Sequence, residues 1–331
     1  MSPRILPAPS GSAPAVAEAA ACLRAGGLVA FPTETVYGLG ADGLNPAAVA
    51  RIYEAKGRPP TNPLILHVAG LDEARALASR WPETAQRLAE RFWPGPLTLV
   101  LPAAPEVPGI VRAGNPTVAL RCPAHPVALA LVRATGRPLA APSANRSTQL
   151  SPTRAEHVAA GLGDRVDLIL DGGPTSAGLE STIVALDGPV PRLLRPGPLP
   201  PDVLEALVGP LERWEGAVAQ HERQAAPGMA LRHYAPRTPL ALVPREALVP
   251  APEPPGRTAV VAFGHLPELP SGWTGFVLPE VPAAAGTELF ALLHELDALG
   301  FDHIRFQQPP GGDAWLALWD RLQRAAARED A

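Results

Sequence analysis

The chain has 331 residues, 47% hydrophobic and 18% charged, with a net charge of −4. That is the composition of a soluble globule with apolar material for a sizeable core, and the length suggests two domains of roughly 200 and roughly 100 residues. Two cysteines, Cys22 and Cys122, are too few for a disulfide scaffold or a cysteine metal centre, and no apolar run reaches the roughly 18 residues of a membrane span. The negative balance argues against a surface built mainly for nucleic acid, though a local basic cleft remains compatible with it. Met1 to Pro9 lacks the basic-then-apolar pattern of a secretion signal, so a cytoplasmic location is expected.

In chain order, Ser12 is placed to cap a helix over Ala15 to Arg24 that Gly26 and Gly27 end. Leu28 to Phe31 reads as a buried strand. Beyond it Pro32 to Gly40 reads as a hydroxyl-rich turn, and ligands of open α/β sheets bind beyond strand ends. Gly38, Gly40 and Gly43 fit the dinucleotide spacing, but the strand ends too early and the helix starts too late, so a glycine-rich turn with positive φ is expected instead. Asn45-Pro46 starts a helix that delivers Lys56 at its end.

Leu64 to Val68, Leu97 to Leu101, Thr117 to Cys122, Pro138 to Ala141, Leu168 to Leu170, Ser181 to Leu186 and Pro191 to Leu194 read as strands. Helices are expected over Asp72 to Ser79, Glu83 to Phe92, Pro126 to Ala134, Ser151 to Gly161 and Pro201 to Val208. Residues 209–238 have scattered charge and little periodicity and read as a connector, with a His233-Tyr234 pair that suits packing over a surface. A smaller α/β domain follows over 239–331, with strands at Thr258 to Phe263, Gly275 to Leu278 and His303 to Phe306. Its helices fall at Glu288 to Leu299 and Ala314 to Ala326.

Lys56 is the one lysine among 28 basic residues. Ammonium is a flexible point charge and guanidinium a planar fork, so Lys56 beside Arg58 suits a polyphosphate, although cations also simply favour a helix C-terminus. There is no P-loop, no histidine pair or Cys/His cluster at metal spacing, and no nucleophile elbow around Ser143. His67, His125 and His233, read singly, are structural. What repeats is polar residues beside strand ends: Thr33 and Thr35, Lys56 and Arg58, Ser143 and Asn145, Glu180 to Thr182. With Arg121 and Arg195, where an unpaired guanidinium would be costly, they suit a pocket for a small anionic or zwitterionic substrate beside a phosphate chain.

Four ordered blocks carry a resemblance. Pro32 to Leu39, Lys56-Gly57-Arg58-Pro59 with Asn62-Pro63-Leu64, Pro142 to Asn145 with Ser151-Pro152-Thr153, and Glu180 to Val184 with Leu194 to Gly197 resemble the YrdC-like family. The segment Pro227 to Pro236 is similar to the linker of its longer members, the threonylcarbamoyl-AMP synthases with a C-terminal accessory domain. The resemblance implies a YrdC-like twisted mixed sheet with flanking helices and a concave cleft over 1–208, a linker or lid over 209–238, and a Rossmann-like accessory domain over 239–331.

It also implies that L-threonine, bicarbonate and ATP, the last with Mg2+, give threonylcarbamoyl-AMP and pyrophosphate for tRNA modification. By the same resemblance Thr35, His67, Arg121, Ala141 and Ser181 meet threonine. Lys56, Arg58, Asn62, Thr117, Ser143, Asn145, Ser151 and Arg195 meet ATP, and Lys56 and Arg58 carry the catalytic charge. The implied partners are the proteins that pass the threonylcarbamoyl group to tRNA, with weak RNA contact and no membrane. Two departures stand out: Thr148 replaces a usual glycine, and Leu231 a frequent tyrosine. The rival readings are an RNA-binding module without catalysis and a carbamoyl-transfer enzyme, the latter normally needing zinc-finger and acyl-phosphatase domains.

Overall fold

The apolar runs and their cap-and-proline boundaries become two sheets in this computed structural model, which describes residues 3–214, 216, 222–250 and 256–327. The first elements are β1 (Arg4–Pro7), α1 (Ala13–Arg24), β2 (Val29–Phe31), β3 (Gly38–Asp42), α2 (Pro46–Lys56) and β4 (Ile65–His67). Then come α3 (Leu71–Ala76), α4 (Glu83–Phe92), β5 (Leu97–Pro102), β6 (Thr117–Arg121), α5 (Pro126–Thr135), β7 (Leu139–Ala140) and α6 (Ala155–Leu162). β8 (Leu168–Asp171), β9 (Thr182–Ala185), β10 (Arg192–Arg195), α7 (Pro201–Val208) and β11 (Glu212–Arg213) complete an 11-stranded mixed sheet. Its order is β1-β8-β2-β3-β7-β4-β6-β5-β9-β10-β11. The second sheet has four parallel strands, β12 (Leu240–Val243), β13 (Thr258–Phe263), β14 (Thr274–Leu278) and β15 (His303–Gln307), with α8 (Pro282–Leu299) and α9 (Leu316–Ala326). No helix among the described residues is long and apolar enough to cross a membrane.

Local chemistry sets the boundaries of α2 and the start of α5. Asn45 caps α2 by accepting the amides of Ala47 and Ala48, and Gly57 ends it at φ 61°, as a left-handed C-cap requires. His125 is the cap of α5, its ring nitrogen accepting the Val127 amide at 3.2 Å.

Three expectations fail. Ser12 precedes α1 without a side-chain cap bond. Gly38 to Asp42 is not a glycine-rich turn but a buried strand antiparallel to β2, and none of its glycines has positive φ. Glycine is needed there for close approach, because a Cβ at Gly40 would sit 2.7 Å from the Phe31 ring and one at Gly43 2.5 Å from Leu66. Ser151 does not open a helix either; α6 begins at Ala155 because the Ser151 hydroxyl is bonded to Glu180 instead.

Strands β1, β11 and β12 go beyond the sequence reading. β11 draws the start of the expected connector onto the edge of the large sheet beside β10, while residues 215 and 217–221 of that connector lie outside the described residues.

The two sheets share a core. Val36, Leu150 and Leu179 from the first pack with Tyr234 of the connector against Leu289, Phe290 and Leu293 of α8. Gly178 (φ 70°) makes this contact close, since a Cβ there would lie 2.4 Å from the Gly286 carbonyl of α8. The rings of His157 on α6 and His294 on α8 stack with centroids 3.9 Å apart.

Candidate active site

Strand register assembles one hollow. The parallel pairing of β4 with β6 sets His67 opposite Arg121, both at strand C-terminal ends. The Ala141 amide, just past β7, donates to the Ile65 carbonyl at 2.9 Å. Gly38 and Ser143 form an antiparallel bridge. The Thr33 hydroxyl oxygen accepts the amides of Thr35 and Val36 at 3.1 and 3.2 Å, which fixes the turn that carries Thr35. Ser181 enters β9 with its hydroxyl 2.7 Å from that of Thr98. Thr35, Arg58, His67, Arg121, Ala141, Ser143, Ser181 and Arg195 all line this hollow.

Its cations are buried and each is held. Arg121 pairs with Glu34 at 2.6 Å, their side chains 5% and 12% exposed, and the second Glu34 oxygen accepts the Ala124 amide at 3.0 Å. Arg58 donates to Asn62 Oδ1 at 2.5 Å and to the Asn62 and Pro63 carbonyls at 3.0 and 2.7 Å. Arg195 donates to the Ser181 carbonyl at 3.1 and 3.0 Å and to its hydroxyl at 3.1 Å.

Lys56 lies behind the wall. Its ammonium donates to the Ser143 carbonyl at 2.5 Å and to the Asn145 carbonyl, tying that loop to the end of α2. Asn62 therefore acts on Arg58, and Asn145 on the loop. Thr117 stands at the opposite end of β6 from Arg121, about 13 Å away at strand rise, and does not line the hollow.

Burial governs the titration of this cluster. It lowers the Lys56 pKa well below the usual ammonium range, with repulsion from Arg58 adding to it. It brings Arg58 down to about 10. Burial, helped by Arg121, takes His67 down to about 3, so its ring is neutral at pH 7; its Nδ1 is buried without a partner. For Glu34, burial would raise the carboxyl, but Arg121 overrides it and holds the pKa below its ordinary value.

The connector closes the hollow. Pro227, Gly228, His233 and Tyr234 form its roof, and about 40 Å³ remains, against roughly 300–1,000 Å³ for ordinary ligand sites. Ala226 and Met229 pack on Ile65, Val100, Ala119 and Ile183. The Ala235 amide donates to the carbonyl of Thr148 at 2.9 Å, a threonine held at φ 69° where glycine is at ease. Leu231 is 39% exposed.

Sequence reading singled out neither the role of Glu34 nor that of Arg321, which pairs with Glu180 at 2.8 Å. For Glu34 the signal was present, an acid within the Pro-Thr-Glu-Thr turn facing a strand-end arginine. For Arg321 there was none, since α9 reads as an ordinary amphipathic helix. Among the described residues no group of three or more His, Cys, Asp or Glu could hold a metal, and Glu180 of the hollow and Glu34 beside it are both committed to guanidinium groups.

Strand-end hydroxyls, a neutral histidine and several buried guanidinium groups over a mixed sheet define a cleft for a small zwitterion beside an anionic chain. The family model Sua5_yciO_yrdC, described as "Telomere recombination", matches residues 21–197, and Sua5_C, "Threonylcarbamoyl-AMP synthase, C-terminal domain", matches 201–327. The chain belongs to the Sua5/YrdC family in its two-domain form. It is 52% identical to a threonylcarbamoyl-AMP synthase of Bacillus subtilis over 69% of this chain and 66% of that one. It is 42% identical to the Pyrococcus abyssi enzyme of that name over 93% of both chains. The crystal structure of P. abyssi Sua5 complexed with L-threonine superposes with a TM-score of 0.88, at 40% identity and 94% coverage of both chains.

Proposed function

We propose that this protein makes L-threonylcarbamoyl-AMP and pyrophosphate from L-threonine, bicarbonate and ATP, for threonylcarbamoyl-adenosine formation in tRNA. The observation that carries this reading is the single hollow in which Arg121 with neutral His67 faces Arg58 and Arg195. The names of the relatives and the threonine-bound Sua5 structure support it.

The threonine carboxylate takes the fork of Arg121, and Thr35, Ser181 and the backbone at Ala141 hold its hydroxyl and amino ends. The neutral His67 ring offers an acceptor to the amino group without opposing Arg121. The free amine and bicarbonate condense to a carbamate with loss of water. A carbamate oxygen then attacks the α-phosphorus of ATP, the bond to the β-phosphate oxygen breaks, and pyrophosphate leaves. No covalent enzyme intermediate forms. The chain contributes positioning and the fixed positive charge of Arg58 and Arg195 against the leaving group. Lys56, Asn62, Ser143, Asn145 and Ser151 complete the nucleotide side, several of them through the loops they fix, and Thr117, outside the hollow, joins them only where the nucleotide extends beyond it. Mg2+ would arrive with ATP as part of the substrate and screen the phosphate charge, with Asn145 near the phosphates.

We divide the chain into a catalytic domain over 1–208, a lid over 209–238 and an accessory domain over 239–331. With about 40 Å³ left under the roof, ATP and threonine enter only when the lid swings out. The product, consumed by tRNA threonylcarbamoyl-transfer proteins, places the reaction in the cytoplasm. Purified protein should release pyrophosphate only when ATP, bicarbonate and threonine are all present. Release that persists without threonine would overturn the reading. Salt-sensitive RNA binding with no release would favour the RNA-binding module.

A further inference from the structure

One guanidinium from the accessory domain reaches Glu180 and Tyr234 in the lining of the site. Arg321 on α9 is 1% exposed and heads the largest fully buried side chains. Its Nε donates to Glu180 Oε2 at 2.8 Å and its Nη2 to the Glu180 carbonyl at 3.3 Å. Its Nη1 donates to the Pro196 carbonyl at 2.9 Å and to Asp320 at 2.6 Å. The guanidinium carbon lies 5.0 Å from the centroid of the Tyr234 ring.

Apart from Asp320, its own neighbour on α9, each contact touches a site residue's neighbour or the roof. Glu180 precedes Ser181, and its other carboxylate oxygen accepts the Ser151 hydroxyl. Pro196 follows Arg195, which itself donates to the Ser181 carbonyl. Tyr234 roofs the hollow. A charged group is a poor choice for mere docking, because burying an ion pair stabilises no better than apolar packing of the same volume. What a planar fork supplies is fixed direction. Among the described residues another ion pair joins the first sheet to the accessory domain, Arg213 of β11 with Asp313, and it is 41% and 35% exposed.

We infer that Arg321 is a positioning residue for adenylation: through Glu180 and the Pro196 carbonyl, the accessory domain sets the places of Ser151, Ser181 and Arg195. The inference rests on reading those three as substrate-holding residues. It gives the second domain a task in the chemistry, that of completing a site whose ligands all come from the first.

The test uses the full chain, with pyrophosphate release for kinetics and thermal unfolding alongside. Arg321→Gln should lower kcat/KM for ATP on the order of 100-fold, the cost of a misplacement near 1 Å. Glu180→Gln should lose a similar factor, and the double variant no more than either, because both break one chain of contacts. Arg321→Lys keeps a cation beside Glu180 and should recover part of the loss, while Arg213→Gln should match the parent. Losses that multiply in the double variant, or an Arg321→Gln protein with lower Tm and parental kinetics, would overturn the inference. If Arg321→Gln does not fold, Arg321→Lys and Glu180→Gln carry the test, and parental KM values in both would overturn it too. Ser151→Ala and Ser181→Ala separate the two readings. If they leave ATP and threonine affinity unchanged, the site reading fails and the inference with it. If they weaken binding while Arg321→Gln does not, the inference alone fails.

Discussion

Glu34→Gln separates the structural from the catalytic duty of Arg121. In the closed protein Glu34 is the countercharge of that arginine, at 2.6 Å with both side chains almost fully buried. Removing one member of a buried pair costs about 3–5 kcal/mol when the other is left uncompensated. Gln keeps the volume and one acceptor, and Arg121 retains a 3.4 Å contact to the Gly95 carbonyl, so a loss near the lower end, about 3 kcal/mol, is expected in urea unfolding at pH 7. The substrate carboxylate should replace the missing charge. Threonine at 100 times its Kd should return about 2.7 kcal/mol by mass action, and the variant should bind threonine at least as tightly as the parent.

The pH profile has a definite sign. The Glu34 carboxyl is depressed in the folded state, so its contribution is fully present above the unfolded value of about 4.3. It is lost as pH falls through the lower native value. The variant should lack that acid-side loss. A variant as stable as the parent at pH 7 would refute the pairing argument. One that loses threonine affinity as severely as Arg121→Ala would refute the assignment of the carboxylate to Arg121.

Lys56→Met should abolish adenylate formation. It leaves the Ser143 and Asn145 carbonyls without their ammonium donor, at about 1–3 kcal/mol for each group left unpaired, which urea unfolding measures; normal turnover would count against the site. Cleavage after Arg223 should reduce turnover far more than Tm, because α9 still holds the lid through the Arg324 contact to the Ala230 carbonyl and the ring contact of Arg321 with Tyr234. Equal losses would refute a lid. Thr148→Gly relieves a β-branched residue at φ 69°, a strain of about 1–2 kcal/mol offset by the roughly 0.5–1 kcal/mol that glycine's chain entropy costs. A gain of about 0.5–1 kcal/mol in unfolding free energy is expected, and a loss would mean that the threonine side chain does more than tolerate the turn.

Much of the architecture is written locally. Asn45-Pro46 and Gly57 bound α2 through capping groups a few residues apart, and apolar runs such as Leu97 to Leu101 and Thr117 to Cys122 need no distant partner to be read as strands. The ordered polar blocks at strand ends likewise pointed to one cleft. Gly38, Gly40 and Gly43 did not: their spacing suggested a turn, and only Phe31 and Leu66 packed against them explain why a strand needs glycine there.

What the sequence by itself determined, then, is most of the elements, the capping of α2 and the residue types at strand ends, since these follow from interactions within a few positions of the chain. Tertiary structure alone decided who meets whom. The register that sets His67 opposite Arg121, the Glu34 countercharge from 87 positions away, and the Arg321 guanidinium reaching Glu180 across 141 positions are long-range pairings of buried charge. Their partners are selected by the need to leave no ion unpaired in a low-dielectric interior, and no local pattern records that choice.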